Sequence, residues 1–208
     1  MQKSQVWRCI LRAQLNLKFD EIKHEYSIED GVKIPSVTQI LQGISIINTT
    51  YFTPGSAANG KRRHKILEDF DKDKLDWSCI LKDDMNYISA WQSFLEDAEL
   101  EIMHIEKKVF HDSFFYAGTI DRIVKDKDSN IIVLDIKTGV KQKWHQLQLE
   151  AYLQAYNNLI EEGEKKAVKI WGVYLNKNGT YKKVSYEIDG LFNSAVNIWN
   201  WMKKNDYF

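Results

Sequence analysis

The stretch Ile131–Gly139, I-I-V-L-D-I-K-T-G, decides how the rest of the chain is read. An apolar run leads to Asp135, and Lys137 follows two positions later, just before a Thr138-Gly139 turn. Such a run predicts a β-strand buried on both faces. Residues two apart on a strand share a face, so a carboxylate and an ammonium emerge side by side from apolar surroundings. Ionised groups are costly to bury unless something nearby uses the charge. Taken alone, the pair would be an ordinary solvated strand end. Working outward, Gly118–Ile123 reads G-T-I-D-R-I, a second apolar strand with Asp121 near its centre. Asp121 could pair with Arg122 or Lys125; alternatively, Asp121 and Asp135 on neighbouring strands, with Lys137 beside them, form a divalent-metal site with a catalytic cation.

The flanking sequence predicts the scaffold. Tyr26–Ile34 reads as a hairpin turning at Asp30-Gly31. Ser36 caps a helix whose Val37, Ile40 and Leu41 recur at helical spacing. After a Pro54-Gly55-Ser56 loop, residues 56–70 predict a second helix. Gly60 within it costs roughly 1 kcal/mol relative to Ala and suggests close approach by a backbone or ligand. His64 lies four residues on, on the same face. Residues 71–84 read as a connection or short helix, and Met85–Met103 as a long helix. Strands follow at about 105–111, 114–124 and 130–136, with a polar turn at 125–130. A second long helix spans 143–160 and ends at a Gly163 cap. Strands at 168–175 and 181–188 flank an Asn178-Gly179 turn, and an amphipathic helix over 191–203 packs through Trp199 and Trp201. A long helix returning to a strand is a crossover, so the fold class is α/β with a mixed sheet.

Composition bounds the function. Lys+Arg and Asp+Glu both total 29 in the 208 residues, which argues against a protein that coats nucleic acid by global charge, though not against a local basic groove. The hydrophobic fraction of 44% fits one folded domain: a hairpin and helical section over about 20–84, and a core over about 85–208. Cys9 and Cys79 lack metal-ligand spacing and read as reduced thiols. Met1–Arg12 lacks a signal-peptide core, and no run is long enough to span a bilayer. The expected location is cytoplasmic.

Several motifs in order resemble the PD-(D/E)xK nuclease superfamily, specifically its RecB-like exonuclease branch, and are similar to phage exonucleases and the mitochondrial genome maintenance exonuclease. They are Gly60 and His64 as G-x-x-x-H, Glu106, G-T-I-D ending in Asp121, D-I-K as Asp135 and Lys137, and Q-L-E-A-Y as Gln148 and Tyr152. The opening K-I-P-S-V-T-Q-I-L extends the resemblance to about residues 20–205. Ile120-Asp121 stands where the signature has proline-aspartate, a common departure in that branch.

The resemblance implies a restriction-endonuclease-like core, a central mixed β-sheet flanked by helices, with the helical section in front. It also implies Mg2+ or Mn2+ held by Asp121, Asp135, His64 and the Ile136 carbonyl. Carboxylate oxygens suit hard cations, and an imidazole shifts preference toward Mn2+. Lys137 would orient or activate water and stabilise charge on phosphorus. Glu106 would join the metal shell or its water network. Gln148 and Tyr152, at i and i+4 on one helix face, would contact substrate or Lys137. The same reading makes DNA the partner, at linear ends including single-stranded ones, with a single-strand-binding or recombination protein as a further partner. It would act in phage or mobile-element replication, recombination or repair, in a bacterial host cell if phage-encoded. Lys61, Arg62, Arg63 and Lys65 around His64 offer phosphate contacts, as do Lys141 and Lys143, while Trp144 could stack on an unpaired base; solvated surface is the alternative for each. The competing functions are a structure-specific or restriction-like endonuclease, for which no separate recognition segment is visible, and a non-catalytic DNA-binding accessory protein.

Overall fold

The computed structural model describes residues 17–21, 23–28, 31–48 and 54–207. Cys9, the Met1–Arg12 segment and the Asp30 half of the predicted turn lie outside them. Three short strands, β1 (Lys18–Asp20), β2 (Glu25–Ser27) and β3 (Lys33–Ile34), form an antiparallel sheet in that order. The expected hairpin is the β2–β3 pair, and β1, missed in the sequence, pairs with the outer side of β2. Helix α1 (Val37–Gly43) starts at Ser36 in a full capping box: Ser36 Oγ accepts from the Gln39 N–H at 3.1 Å, and Gln39 Oε1 from the Ser36 N–H at 2.8 Å. The α2 helix (Pro54–Asp71) begins at the proline, which suits a first helical turn.

Helix α3 (Lys82–Ala98) stops five residues before the predicted end, because Glu99 adopts the left-handed conformation (φ 49°) and β4 (Glu101–His111) begins at once. Ala98, Leu100 and Ile102 are apolar at every second position and half-buried, a strand alternation, but Leu95, Ala98 and Ile102 also fall at helical spacing, which carries the helix reading past its end. Strands β5 (Tyr116–Lys125) and β6 (Ile131–Lys137) complete an antiparallel meander. Helix α4 (His145–Leu159) carries the chain to β7 (Ala167–Leu175), parallel to β6; β8 (Tyr181–Tyr186) and helix α5 (Leu191–Lys204) follow. The sheet order is β4-β5-β6-β7-β8, the α/β mixed sheet expected.

Alternation along β6 divides the core. Ile131 and Val133 pack with α1, α4 and α5, whereas Ile132, Leu134 and Ile136 pack with α3 and with Leu67 of α2. Helices therefore cover both faces, and Asp135 and Lys137 fall on the α4 side. The small sheet is pinned to the large one: the Ala117 N–H donates to the Pro35 carbonyl at 3.0 Å, and Tyr26, Ile34, Phe110 and Ala117 share a third apolar cluster.

Three details differ from expectation. Helix α4 ends in extended backbone at Ile160, and Gly163 (φ 98°) lies in the following turn, not at the cap. Trp199 packs on Gly43, where a Cβ would come within 1.9 Å of the ring, but Trp201 is 55% exposed and outside the core. Among the described residues no backbone or side chain lies within 4 Å of the position a Gly60 Cβ would take, which leaves approach by a ligand as the expectation for this glycine. Among the described residues, no helix is long and apolar enough to cross a membrane.

Candidate functional site

Strand register aligns the acidic residues. Arg122 pairs with Leu134, so Asp121 and Asp135 stand opposite each other one step further on. On the other side, Ile105 pairs with Arg122 and Lys107 with Ile120, which sets Glu106 opposite Asp121. Glu106 is left-handed (φ 50°) in mid-strand, a conformation costing roughly 1–3 kcal/mol for a residue with a side chain. Helix α2 crosses nearby and delivers His64, whose Nδ1 lies 3.4 Å from Asp121 Oδ1. One ligand atom each from His64, Glu106 and Asp121 falls within a 4.8 Å cluster. One imidazole nitrogen and two carboxylate oxygens fit a hard divalent cation of the Mg2+ or Mn2+ kind.

Asp121 Oδ2 accepts the Ile136 N–H at 2.6 Å, which fixes the carboxylate between two strands. Asp135 is not in the three-residue cluster. Its Oδ2 lies 2.6 Å from Lys137 Nζ, and the ammonium also donates to Gln148 Oε1 at 2.8 Å. Gln148 Nε2 donates in turn to the Tyr152 hydroxyl at 3.1 Å. The i,i+4 spacing on α4 thus continues a string that starts at Asp135. Tyr152 can lie this close because residue 118 is glycine: a Cβ there would meet the tyrosine ring at 2.4 Å.

Burial and mutual repulsion tune the acids. Burial, reinforced by Asp121, pushes Glu106 up to about 7 against the opposing pull of His64 and Arg122. Burial likewise raises Asp135 to about 6; Lys137 opposes the rise and Asp121 adds to it. For Asp121, burial acts upward but is outweighed by His64, Lys137 and the Ile136 N–H, so it ionises more readily than a free aspartate. His64 is raised: burial works against its proton, but Asp121 and Asp135 prevail.

Several basic residues proposed from the sequence are committed internally. Arg62 and Arg63 both turn onto Asp84, a fully buried acid in the first turn of α3, and Arg63 lies 4.0 Å from the centre of the Tyr87 ring. A buried carboxylate needs a cation more than the surface does, so Asp84 fixes both guanidiniums, while the Arg62 side chain stays 37% exposed. Lys65 pairs with Glu68 and Asp69. Lys61 stays exposed at the cleft rim, 3.4 Å from His24 Nε2. Exposed Lys141 sits 5.2 Å from the Tyr186 ring centre, and exposed Lys143 precedes Trp144, whose ring centre is 5.6 Å from Lys137 Nζ.

Sequence reasoning missed the buried frame behind the acids. Arg122, 0% exposed, donates through Nε to Asp71 Oδ2 at 2.6 Å and through Nη1 to the Asp121 carbonyl at 2.6 Å, with Glu106 Oε1 at 3.4 Å. Trp91 Nε1 donates to the other Asp71 oxygen at 2.8 Å. A charged residue inside the apolar I-D-R-I run was the available signal; Arg122 reaches the backbone of Asp121, not its carboxylate. Behind Lys137, buried His145 bonds the Tyr174 hydroxyl at 2.7 Å, and Tyr174 bonds Tyr186 at 2.6 Å. Burial, helped by Lys137 and Lys141, drives the His145 pKa down to about 3, so this imidazole is neutral.

Comparison with known proteins bears on the same residues. The family model of the PD-(D/E)XK nuclease superfamily matches residues 77–197, more than half of the chain, spanning Glu106 to Tyr152 and leaving His64 outside. A crystal structure of SSO0001 is similar over 66% of this chain and 67% of that one, at 19% identity and a TM-score of 0.33. No curated protein matches.

Proposed function

The chain belongs to the PD-(D/E)XK nuclease superfamily, and from that premise we propose that it is a divalent-metal-dependent deoxyribonuclease that degrades DNA from its ends. The α/β sheet flanked by helices is the restriction-endonuclease-like core of that superfamily. The observation that carries the reading is the convergence of His64, Glu106 and Asp121 within 4.8 Å, next to the Asp135–Lys137 pair. A histidine from a preceding helix and the Gln148–Tyr152 pair support the RecB-like branch, hence an exonuclease acting in replication, recombination or repair.

In this proposal His64, Glu106, Asp121 and Asp135 hold Mg2+ or Mn2+, which when bound polarises the scissile phosphate and acidifies water. Lys137 donates to the phosphate oxygen on which charge develops. Gln148 fixes the direction of the Lys137 ammonium, and Tyr152 fixes Gln148. Asp135 anchors the same ammonium from the other side, so Lys137 needs no reorganisation when substrate arrives. Arg122 holds the Asp121 backbone and, with Asp71 and Trp91, closes the rear of the site against solvent.

The test is cleavage of end-labelled linear DNA and of closed circular DNA, in Mg2+, in Mn2+ and in EDTA. Degradation of linear DNA alone, abolished by EDTA, is the expected result. Cutting of circles would make the protein an endonuclease, and no cleavage in either metal would refute a nuclease.

A further inference from the structure

The cleft in front of the metal centre has a wall that the hydrolytic chemistry does not require. It encloses about 540 Å3 between α2, β4 and the small N-terminal sheet, and His64 and Glu106 lie in its lining. Phe19 of β1 also lines it, half-buried; its ring centre is 5.7 Å from that of exposed His24 and 4.6 Å from that of Tyr26. The Tyr26 hydroxyl bonds Thr119 Oγ1 at 2.7 Å, two residues before Asp121, which ties this aromatic group to the strand that carries the metal ligand.

Two cations flank the rings. Lys108 Nζ lies 5.7 Å from the Phe19 ring centre, and Lys61 Nζ lies 3.4 Å from His24 Nε2. Neither is ion-paired among the described residues, whereas the neighbouring Lys65 and Lys72 both bind Glu68. Lys61 is one helical turn before His64, and Lys108 is two strand positions after Glu106. Each cation therefore comes from the same element as a metal-binding side chain and opens into the same cleft.

We propose that this wall is a base-stacking subsite for an unpaired nucleotide, with Phe19 and His24 receiving the base and Lys61 and Lys108 its phosphates. The inference rests on the nuclease reading and names its substrate class, a single-stranded end. Aromatic faces with interleaved cations hold single strands without reading sequence. A cleft of about 540 Å3 is of small-molecule dimensions and has room for an unpaired nucleotide.

Binding is measured in EDTA, where no cleavage occurs, by anisotropy of a fluorescein-labelled oligothymidylate and of a duplex of equal length. The wild type binds the single strand more tightly. Phe19→Leu, which keeps the side chain apolar for the small sheet, weakens single-strand binding about ten-fold, and Phe19→Trp restores it. Lys108→Gln lowers affinity and flattens its salt dependence. Unchanged single-strand binding in Phe19→Leu overturns the subsite, as does an equal loss for single strand and duplex, or a failure of Phe19→Trp to restore binding. If the wild type cleaves DNA in Mn2+ but Phe19→Leu binds normally, the subsite alone fails. If the wild type cleaves nothing but Phe19→Leu loses the single strand, the nuclease reading fails and the subsite stands.

Discussion

The two walls of the site are built on opposite terms. On the β6–α4 wall, Asp135, Lys137, Gln148 and Tyr152 form a closed string of contacts between 2.6 and 3.1 Å. On the α2–β4 wall, Glu106 sits in strained backbone with its carboxyl raised to about 7, and His64 faces an open cleft. The first wall is preorganised: the Asp135 ion pair and the Gln148 bond hold the Lys137 ammonium between them, so its position is fixed in advance. The second crowds one imidazole nitrogen and two carboxylate oxygens within 4.8 Å of one another, an arrangement that a bound cation would relieve. Fixed chemistry on one side and a metal-hungry face on the other are what metal-assisted hydrolysis needs.

The largest effect should come from the fixed wall. Lys137→Ala removes the ammonium but none of the groups proposed to hold the metal, so cleavage falls by about 10³-fold or more, while Mn2+ still binds, with an affinity altered by the loss of the cation beside Asp135 and Asp121. Cleavage near the wild-type rate would break the division of labour between the walls.

A smaller and different effect is expected on the open wall. His64→Ala weakens Mn2+ affinity by about 10- to 100-fold, and excess Mn2+ recovers part of the cleavage. An unchanged metal dependence would make His64 a bystander to its Asp121 contact.

The smallest effect is a pH dependence. The folded Glu106 carboxyl ionises near 7, against 4.5 for an ordinary glutamate. Between these values the folded metal-free protein binds more protons than the unfolded chain. The stability this group contributes is therefore complete below about pH 4.5 and is lost as pH rises through about 7. Asp135, raised to about 6, acts with the same sign. Glu106→Gln should flatten the fall of the melting temperature of metal-free protein between pH 5 and 7. A slope identical to the wild type would sink the raised Glu106 value. Metal binding must displace the proton, so Mn2+ affinity rises across the same interval.

The two walls also differ in how far the sequence discloses them. Asp135, Lys137, Gln148 and Tyr152 obey local periods, two on a strand and four on a helix, so their shared faces follow from residue spacing alone. The core elements of the sheet are legible for the same reason, apart from the α3–β4 boundary, where Ala98 and Ile102 fit both a helix (i, i+4) and a strand (every second residue). The open wall depends on contacts between distant segments. Nothing local announces that Arg62 and Arg63 turn onto Asp84, that Asp71 reaches Arg122, or that β1 places Phe19 beside Lys108. The left-handed Glu106 is equally invisible, since such backbone is imposed by packing and not by residue type. His64 stands out through its spacing from Gly60, although among the described residues that glycine has no close neighbour.

Asp121 joins the two walls, through its 3.4 Å approach to His64 and its 2.6 Å bond from Ile136, and the whole division of labour hangs on that junction. The most direct measurement is Mn2+ titration of wild type and Asp121→Asn, with cleavage of end-labelled linear DNA followed in the same samples. We expect saturable binding and cleavage in the wild type, and loss of both in the folded variant. Mn2+ binding and cleavage that survive Asp121→Asn would contradict this role for the junction and, with it, the site.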